Sequence, residues 1–500
     1  MKLGETLRSG MQSLVQSRWA MLTAAVGVVI IALVAAAWMG WLHAVGASRW
    51  LWPSVLILLA LGIFAAIRWG IPWVRERRFV RTEGSEYVVA GQQSPEEFRA
   101  KFSKALQALK TLPRLKGKGD PVYALPWFLL LGEGGGGKTA AVEASGLFSS
   151  LLPAAKDGGT QNFDWWVSTS AVVIDTAGRY AIPVDAARDR SEWYRFLRLL
   201  RHHRMREPIN GLVIAVPADR LSSETDEALR ATGTKLRERI EEAVRELGVD
   251  APIYVLVTCC DRLEGFHEYI TALPERMSNE ALGFVDDGSS GTGAEQGGRG
   301  AAALPRLRAG LQAIYERLHF FRLTLLEGKI PDAHRPAVFC FPEEFRSLER
   351  SLATFIEALC TEDVRYHTPL FRGVFFTSAM QGDARISFLR RDLNLGSSPP
   401  AEGATAKHYF LNDVFERMLP RDGSLATTTA RERRRRGAGA VLRRGGTAAL
   451  CAVLALLVGH AYITDRHLAA SVNEQACPEK AGSDGAVRLE LVDQCREIVF

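Results

Sequence analysis

The octapeptide Gly132-Glu133-Gly134-Gly135-Gly136-Gly137-Lys138-Thr139 restricts the fold more than any other part of the chain. It fits GxxxxGK[ST] and stands where that pattern has physical meaning, after the apolar run Tyr123 to Leu131 and before a stretch that reads as helix from about Thr139. Glycines let successive backbone N–H groups turn inward around phosphate oxygens, so Gly132, Gly134, Gly135, Gly136 and Gly137 are expected to form a cradle. Lys138 is placed to neutralise the β- and γ-phosphates, and Thr139 to ligate Mg²⁺. Glu133 puts an anion into the same loop. Facing solvent it is tolerable; facing the phosphates it weakens affinity.

Ala171-Val172-Val173-Ile174-Asp175-Thr176-Ala177-Gly178 supplies the next piece. An apolar strand ending in Asp, some forty residues after the loop, delivers Asp175 beside the metal, and the Gly178 N–H can meet a γ-phosphate. Lys138 and Asp175 are therefore the candidate catalytic residues, with Thr139 and Asp175 as metal ligands and Mg²⁺ with ATP or GTP as the cofactor. Many GTPases place a water-orienting Gln right after this Gly; here the residue is Arg179, which predicts slow hydrolysis. Thr258-Cys259-Cys260-Asp261 follows the apolar run Ile253 to Val257, where G-proteins carry [NT]KxD. Asp261 is a candidate base-reading residue or simply a helix cap, and Cys259 stands in the Lys position, so guanine selectivity is not expected.

With Gly211 to Val216 as a further buried run and amphipathic stretches such as Thr234 to Leu247 between the strands, the pattern is α/β: a P-loop NTPase-like, mostly parallel sheet. A P-loop domain is expected over 122–265. A helical extension comes next over 266–440, with 372–378 available as a returning strand and loops over 286–300 and 399–406. Upstream, Ser94-Pro95-Glu96-Glu97 reads as a helix start, and Phe98, Phe102, Leu106 and Leu109 share one face, giving a helical linker within 75–121.

Composition enters through the uneven distribution of apolar residues. In a chain of 500 residues with net charge +6, Trp19 to Leu42 and Trp50 to Ile67 carry no charge, and Gly445 to Ile463 holds only His460. Each run approaches the ~20 residues that cross a bilayer, so three transmembrane helices are expected: a hairpin within 19–74 and a third over 445–463. Lys2, Arg8 and Arg18 precede the first run, Arg75, Arg77, Arg78 and Arg81 come after the second, and Arg431 with Arg433 to Arg436 precede the third. This bias puts residues 1–18 and the large central segment on the cytoplasmic side and 464–500 on the far side of the membrane. The Arg433 cluster abuts an apolar run, which argues against nucleic acid as a partner. Cys477 and Cys495 fall in the oxidising compartment and are expected to pair, whereas Cys259, Cys260, Cys340 and Cys360 have no metal-ligand spacing. Trp165 and Trp166 read as core or interface anchors, and His202 and His203 as surface residues.

Pro126-Trp127-Phe128, Asp164-Trp165-Trp166, Ile174 to Tyr180, Pro208-Ile209-Asn210-Gly211, Tyr254 to Thr258 and Arg372 to Ser378 together resemble the IcmF/TssM family. The resemblance implies a bacterial inner-membrane scaffold subunit of the type VI secretion membrane complex, with 464–500 as the start of a truncated periplasmic domain. Implied partners are a TssL-like inner-membrane protein, baseplate components, further copies of the chain and, given a full periplasmic domain, a TssJ-like outer-membrane lipoprotein. The alternative is a membrane-anchored NTPase whose turnover energises assembly or transport. A transport GTPase similar to a ferrous-iron permease is disfavoured, because the apolar runs are few and lack ionisable residues for a path.

Overall fold

The computed structural model describes residues 95–434 apart from 116–119, 153–159, 287–301, 329, 362–367, 380–385 and 393–406, together with single helical residues between 437 and 470. Two compact units divide the chain, 1–87 with 435–500 and Val88–Arg434, and the sheet with its flanking helices belongs to the second.

Ten strands are present among the described residues: β1 Trp127–Gly132, β2 Ser149–Ser150, β3 Phe163–Val167, β4 Val172–Thr176, β5 Gly211–Pro217, β6 Val249–Asp250, β7 Pro252–Thr258, β8 Leu282–Val285, β9 Leu370–Phe376 and β10 Thr427–Thr428. Eight of them form one sheet in the order β2-β3-β4-β1-β5-β7-β9-β8. The five central strands, β4, β1, β5, β7 and β9, run parallel. The short β2 and β3 at one edge and β8 at the other are antiparallel to their neighbours. Every residue of β1, β4, β5 and β7 is buried, which is why these strands are continuous apolar runs rather than alternating ones. β1 lies between β4 and β5, so the loop after it, Asp175 at the end of β4 and the turn after β7 emerge at the same edge of the sheet.

The helices around the sheet are α1 Pro95–Thr111, α2 Lys138–Ala144, α3 Gly178–Ala181, α4 Ala186–His203, α5 Ala218–Ser223, α6 Asp226–Leu247, α7 Phe266–Ala272, α8 Ala303–Glu327 and α9 Arg335–Cys360. On one face of the sheet α1 and α4 enclose an aromatic core. Phe102 meets Trp165 edge-on at 5.3 Å, Trp127 meets Trp165 at 4.9 Å, and Phe163 stacks on Phe196 at 5.2 Å. Aromatic pairs in these geometries add about 0.5–1.5 kcal/mol each beyond the area they bury. His203, at the end of α4, is half-buried and stacks on Phe102 at 5.3 Å, while His202 is exposed. Asp185 starts α4 by accepting from the Ala187 and Arg188 N–H groups, and Thr225 starts α6 through Ala228 N–H.

The opposite face carries a second core, in which Phe128, Leu130, Val173, Val213, Tyr254, Leu256 and Phe375 meet α2 and a strap that includes Leu411, Val414, Phe415 and Leu419. The strap is tied down where Asp422 accepts from the Tyr254 hydroxyl at 2.6 Å and from Arg372 at 2.8 and 3.1 Å. Beyond it, β10 pairs antiparallel with β6.

The expected fold is corrected in one respect: three transmembrane helices are not found among the described residues. Among the described residues no helix is long and apolar enough to cross a membrane. The long helices are amphipathic instead; α4 (AARDRSEWYRFLRLLRHH) and α6 (DEALRATGTKLRERIEEAVREL) carry charges along their whole length, which a bilayer core would not accept. The runs 19–42 and 50–67 lie outside the described residues, as does all of 445–463 but a few positions; so do Cys477, Cys495 and nearly all of the expected loops at 286–300 and 399–406.

Candidate functional site

The loop between β1 and α2 is braced from both sides, by the Thr258 and Cys259 side chains and by the backbone at Gly178. Gly137 has φ of +72°, a left-handed conformation that favours glycine, and a Cβ there would lie 3.2 Å from Cys259 Sγ. Thr258 Oγ1, at the end of β7, donates to the Gly136 carbonyl at 2.7 Å. On the other side, a Cβ on Gly178 would fall 2.0 Å from Gly134 N, so α3 begins in direct contact with the loop. Lys138 is buried, and its Nζ donates to the carbonyls of Gly132 at 2.8 Å and Glu133 at 2.5 Å. Burial pulls the Lys138 ammonium below the usual lysine range, opposed by the nearby Asp175 and Glu133 carboxylates.

Asp175 is fully buried at the end of β4. Its Oδ2 accepts from Thr139 Oγ1 at 2.6 Å and from Thr160 Oγ1 at 2.8 Å, and the two hydroxyls lie 3.2 Å apart. Its Oδ1 is buried with no hydrogen-bond partner. Burial pushes the Asp175 carboxyl above the usual carboxylate range, while Lys138 and the two threonine hydroxyls pull it back. Thr176 Oγ1 locks β4 to β1 by donating to the Leu130 carbonyl at 2.8 Å.

Arg179, the neighbour of Gly178, points into α4 and the segment before β3. It pairs with Asp189 at 3.1 Å and Glu192 at 2.7 Å, donates to the Gln161 carbonyl at 2.9 Å and also meets the Asn162 side chain. Tyr180 joins the same network through Glu192 and Asn162. Glu133 is drawn to one flank of the loop, where Arg220 of α5 holds its carboxylate at 2.6 Å. Burial nonetheless raises the Glu133 carboxyl, with Arg220 opposing.

Asp261 lies in a single 3-10 turn, Cys260–Arg262, just beyond β7. It is mostly buried, and Ser378 Oγ, beyond β9, donates to its Oδ1 at 2.7 Å. Cys259 precedes it with φ of +55°, and burial raises its thiol. The edge of the sheet thus brings together Gly132, Gly134, Gly135, Gly136, Gly137, Lys138, Thr139, Asp175 and Gly178. Asp261 follows Thr258 and Cys259, which touch the loop at Gly136 and Gly137.

Three further participants lie outside the expected site residues. Thr160 reaches Asp175 from fifteen residues upstream, and no strand or helix pattern marks it. Arg220 and Ser378 sit after β5 and β9 and have no fixed spacing from the loop. Only the topology points to them, because it sends every segment after a parallel strand, and the segment before the antiparallel β3, to this edge.

The oxygens of Thr139, Thr160 and Asp175, one of them an orphaned carboxylate oxygen, fit Mg²⁺ by donor type, because hard cations take oxygen ligands. No cluster of three or more His, Cys, Asp or Glu side chains suited to a metal occurs among the described residues. A single carboxylate suits an ion that draws its remaining ligands from water and phosphate better than one held by protein alone.

A match to the IcmF-related N-terminal domain covers residues 186–450, more than half of the chain. The chain belongs to the IcmF/TssM family. It is 31% identical over 343 residues to the type VI secretion system component TssM1 of Pseudomonas aeruginosa; the alignment covers 65% of this chain and 30% of that protein. The chain therefore spans about 30% of the length of that relative. Among solved structures, a mutation variant of SsGBP matches with a TM-score of 0.18 at 17% identity, covering 41% of this chain and 53% of the other. An S. thermophilus NFeoB mutant bound to GDP matches with a TM-score of 0.19 at 14% identity, covering 47% and 98%. Overlaps this weak bear on neither fold nor function. The family match begins at Ala186, so in this IcmF/TssM chain it takes in β5, β7, β9 and the strap, while Thr139, Thr160 and Asp175 precede it.

Proposed function

We propose that this IcmF/TssM chain binds a Mg²⁺-nucleoside triphosphate at the Gly132–Thr139 loop, hydrolyses it slowly and has little preference for guanine. The observation that carries this reading is the convergence of the Thr139 and Thr160 hydroxyls on buried Asp175, beside a loop whose lysine lies over its own carbonyls. Bound there, Mg²⁺ supplies positive charge to the phosphates; Thr139, Thr160 and Asp175 are the residues that would hold it. Lys138 would exchange its bonds to Gly132 and Glu133 for phosphate oxygens, and the loop N–H groups would take the remainder.

Slow turnover is supported by Arg179. Its guanidinium is committed to Asp189, Glu192 and Asn162, so it is not free to orient water, and it could accept no hydrogen bond from one in any case. Weak base preference is supported by Cys259, whose short side chain packs towards Gly137 and cannot cover a purine face. Family membership supports a place in type VI secretion as a scaffold subunit at the inner membrane, with the nucleotide site in the cytoplasm. A TssL-like protein, baseplate components and further copies of the chain are the proposed partners, with a TssJ-like lipoprotein reached only through a larger periplasmic region.

Calorimetric titration of the purified chain with ATP and GTP, with and without Mg²⁺, tests the reading, with single-turnover hydrolysis alongside. Binding of both nucleotides that depends on Mg²⁺ and is lost in Lys138→Ala is expected. A hundredfold preference for GTP, or turnover of many per second without a partner, would show the site to be misread.

A further inference from the structure

We propose that Arg220 is a positioning residue that makes the loop compatible with phosphate by holding the Glu133 carboxylate away from the cradle. The inference rests on the nucleotide-binding reading and assigns within it a residue that no motif contains. Glu133 is the second residue of the loop, one position from Gly132, whose carbonyl already receives Lys138 Nζ. An unrestrained carboxylate there would compete with phosphate for the Lys138 ammonium and repel the phosphate charge. Instead its Oε2 lies 2.6 Å from the Arg220 guanidinium, on the first turns after β5. Arg220 is itself steadied by Glu224 one helical turn on, and Glu133 is left with a side chain only 15% exposed. The clamp comes from a neighbouring strand end rather than from the loop, so it draws the carboxylate sideways, towards α5. Arg220 is 46% exposed, and its guanidinium pairs with the carboxylates of Glu133 and Glu224. Its role is therefore separable from folding.

Positioning and direct attraction of phosphate by Arg220 make different predictions when Glu133 is neutral. If Arg220 acts on Glu133, its loss matters only while the carboxylate is charged. Fluorescent-nucleotide titration of four chains decides between them: the parent, Arg220→Ala, Glu133→Gln, and the double variant. We expect Arg220→Ala to weaken Mg²⁺-ATP binding about tenfold, the scale of one freed charge near a polyphosphate at partly screened distance. In the Glu133→Gln background the same change is expected to cost less than about twofold, and Arg220→Lys to recover most of the affinity because a cation is restored. Equal losses in the two backgrounds would overturn the assignment and make Arg220 a direct phosphate contact; no loss in either would overturn it as well. Failure of the parent chain to bind any nucleotide would instead strike down the reading on which the assignment rests, so the two failures are told apart.

Discussion

Asp175→Asn is expected to make the chain more stable and less able to bind. In the native state Asp175 is fully buried; Oδ2 accepts from Thr139 and Thr160, and Oδ1 accepts from nothing. An asparagine carbonyl keeps both threonine bonds and removes the buried charge, at the cost of an amide N–H₂ where the orphaned oxygen was. A buried unsatisfied polar group costs about 1–3 kcal/mol and more when charged, so exchanging a charged orphan for a neutral one returns about 1–2 kcal/mol. At about 2–4 °C per kcal/mol, the variant should melt a few degrees above the parent in nucleotide-free buffer with chelator. Mg²⁺-ATP at ~100 times its Kd should then stabilise the parent by about 2.7 kcal/mol and the variant by much less, because the metal loses its only carboxylate. The order of the two melting temperatures should invert when Mg²⁺-ATP is added. Scanning calorimetry of both chains in the two buffers measures it. A variant that melts below the parent without ligand, or that gains as much from Mg²⁺-ATP, would refute the idea that this carboxylate is kept for the metal.

Thr160→Val should lower Mg²⁺-dependent affinity about tenfold or more while far-ultraviolet dichroism stays unchanged, since it removes one oxygen from the Asp175 cluster; unchanged affinity would leave Thr160 a structural partner only. Arg204→Met should destabilise the chain by about 2–4 kcal/mol in denaturant titration. The buried guanidinium donates to Val122 and Leu125 carbonyls and to Asn210 and lies 4.7 Å from the Trp127 ring, and burial has already pulled it down to about 10. The pH dependence has an unusual sign: Asp175 is raised by burial, so the folded state binds its proton more tightly than the unfolded chain does. The stability difference between parent and Asp175→Asn should therefore shrink as pH falls from neutral through the folded pKa towards the ordinary Asp value near 3.9, and a difference that widens in acid would contradict the assigned cause.

How far each element is legible in the residue order depends on how locally it is encoded. β1, β4, β5 and β7 show as apolar runs because they are buried on both faces, so burial leaves an uninterrupted trace. β3 leaves no such trace, conspicuous as Asp164, Trp165 and Trp166 are. It mixes a half-exposed Asp, salt-bridged to Lys101, with two tryptophans facing opposite cores, and gives neither clean alternation nor a uniform run. β8 is only half-buried at the sheet edge and is fainter still. The long apolar runs at 19–42, 50–67 and 445–463 are legible as composition, but the architecture drawn from them does not stand among the described helices, whose apolar residues occupy one stripe rather than the whole surface.

At the site the same rule separates what the residue order reveals from what it hides. Gly132 to Thr139 is a contiguous segment whose glycines, lysine and threonine follow one another in the chain, and so it is readable as a string. Thr160, Arg220 and Ser378 act at a distance: Arg220 and Ser378 come after the parallel strands β5 and β9, Thr160 comes before the antiparallel β3, and only these strand directions make their neighbourhoods coincide. Glu133 shows the consequence. From the string alone its carboxylate is either harmless or damaging, depending on where it points. The structure answers with Arg220, eighty-seven positions away in the chain and 2.6 Å away in space. Glu133 is thus intelligible only as half of a pair, and its partner is fixed by strand order rather than by spacing. That is why substitutions at Glu133 and Arg220 must be read together: either one alone reports the damage of an unbalanced charge, and only the pair reports what the contact is for.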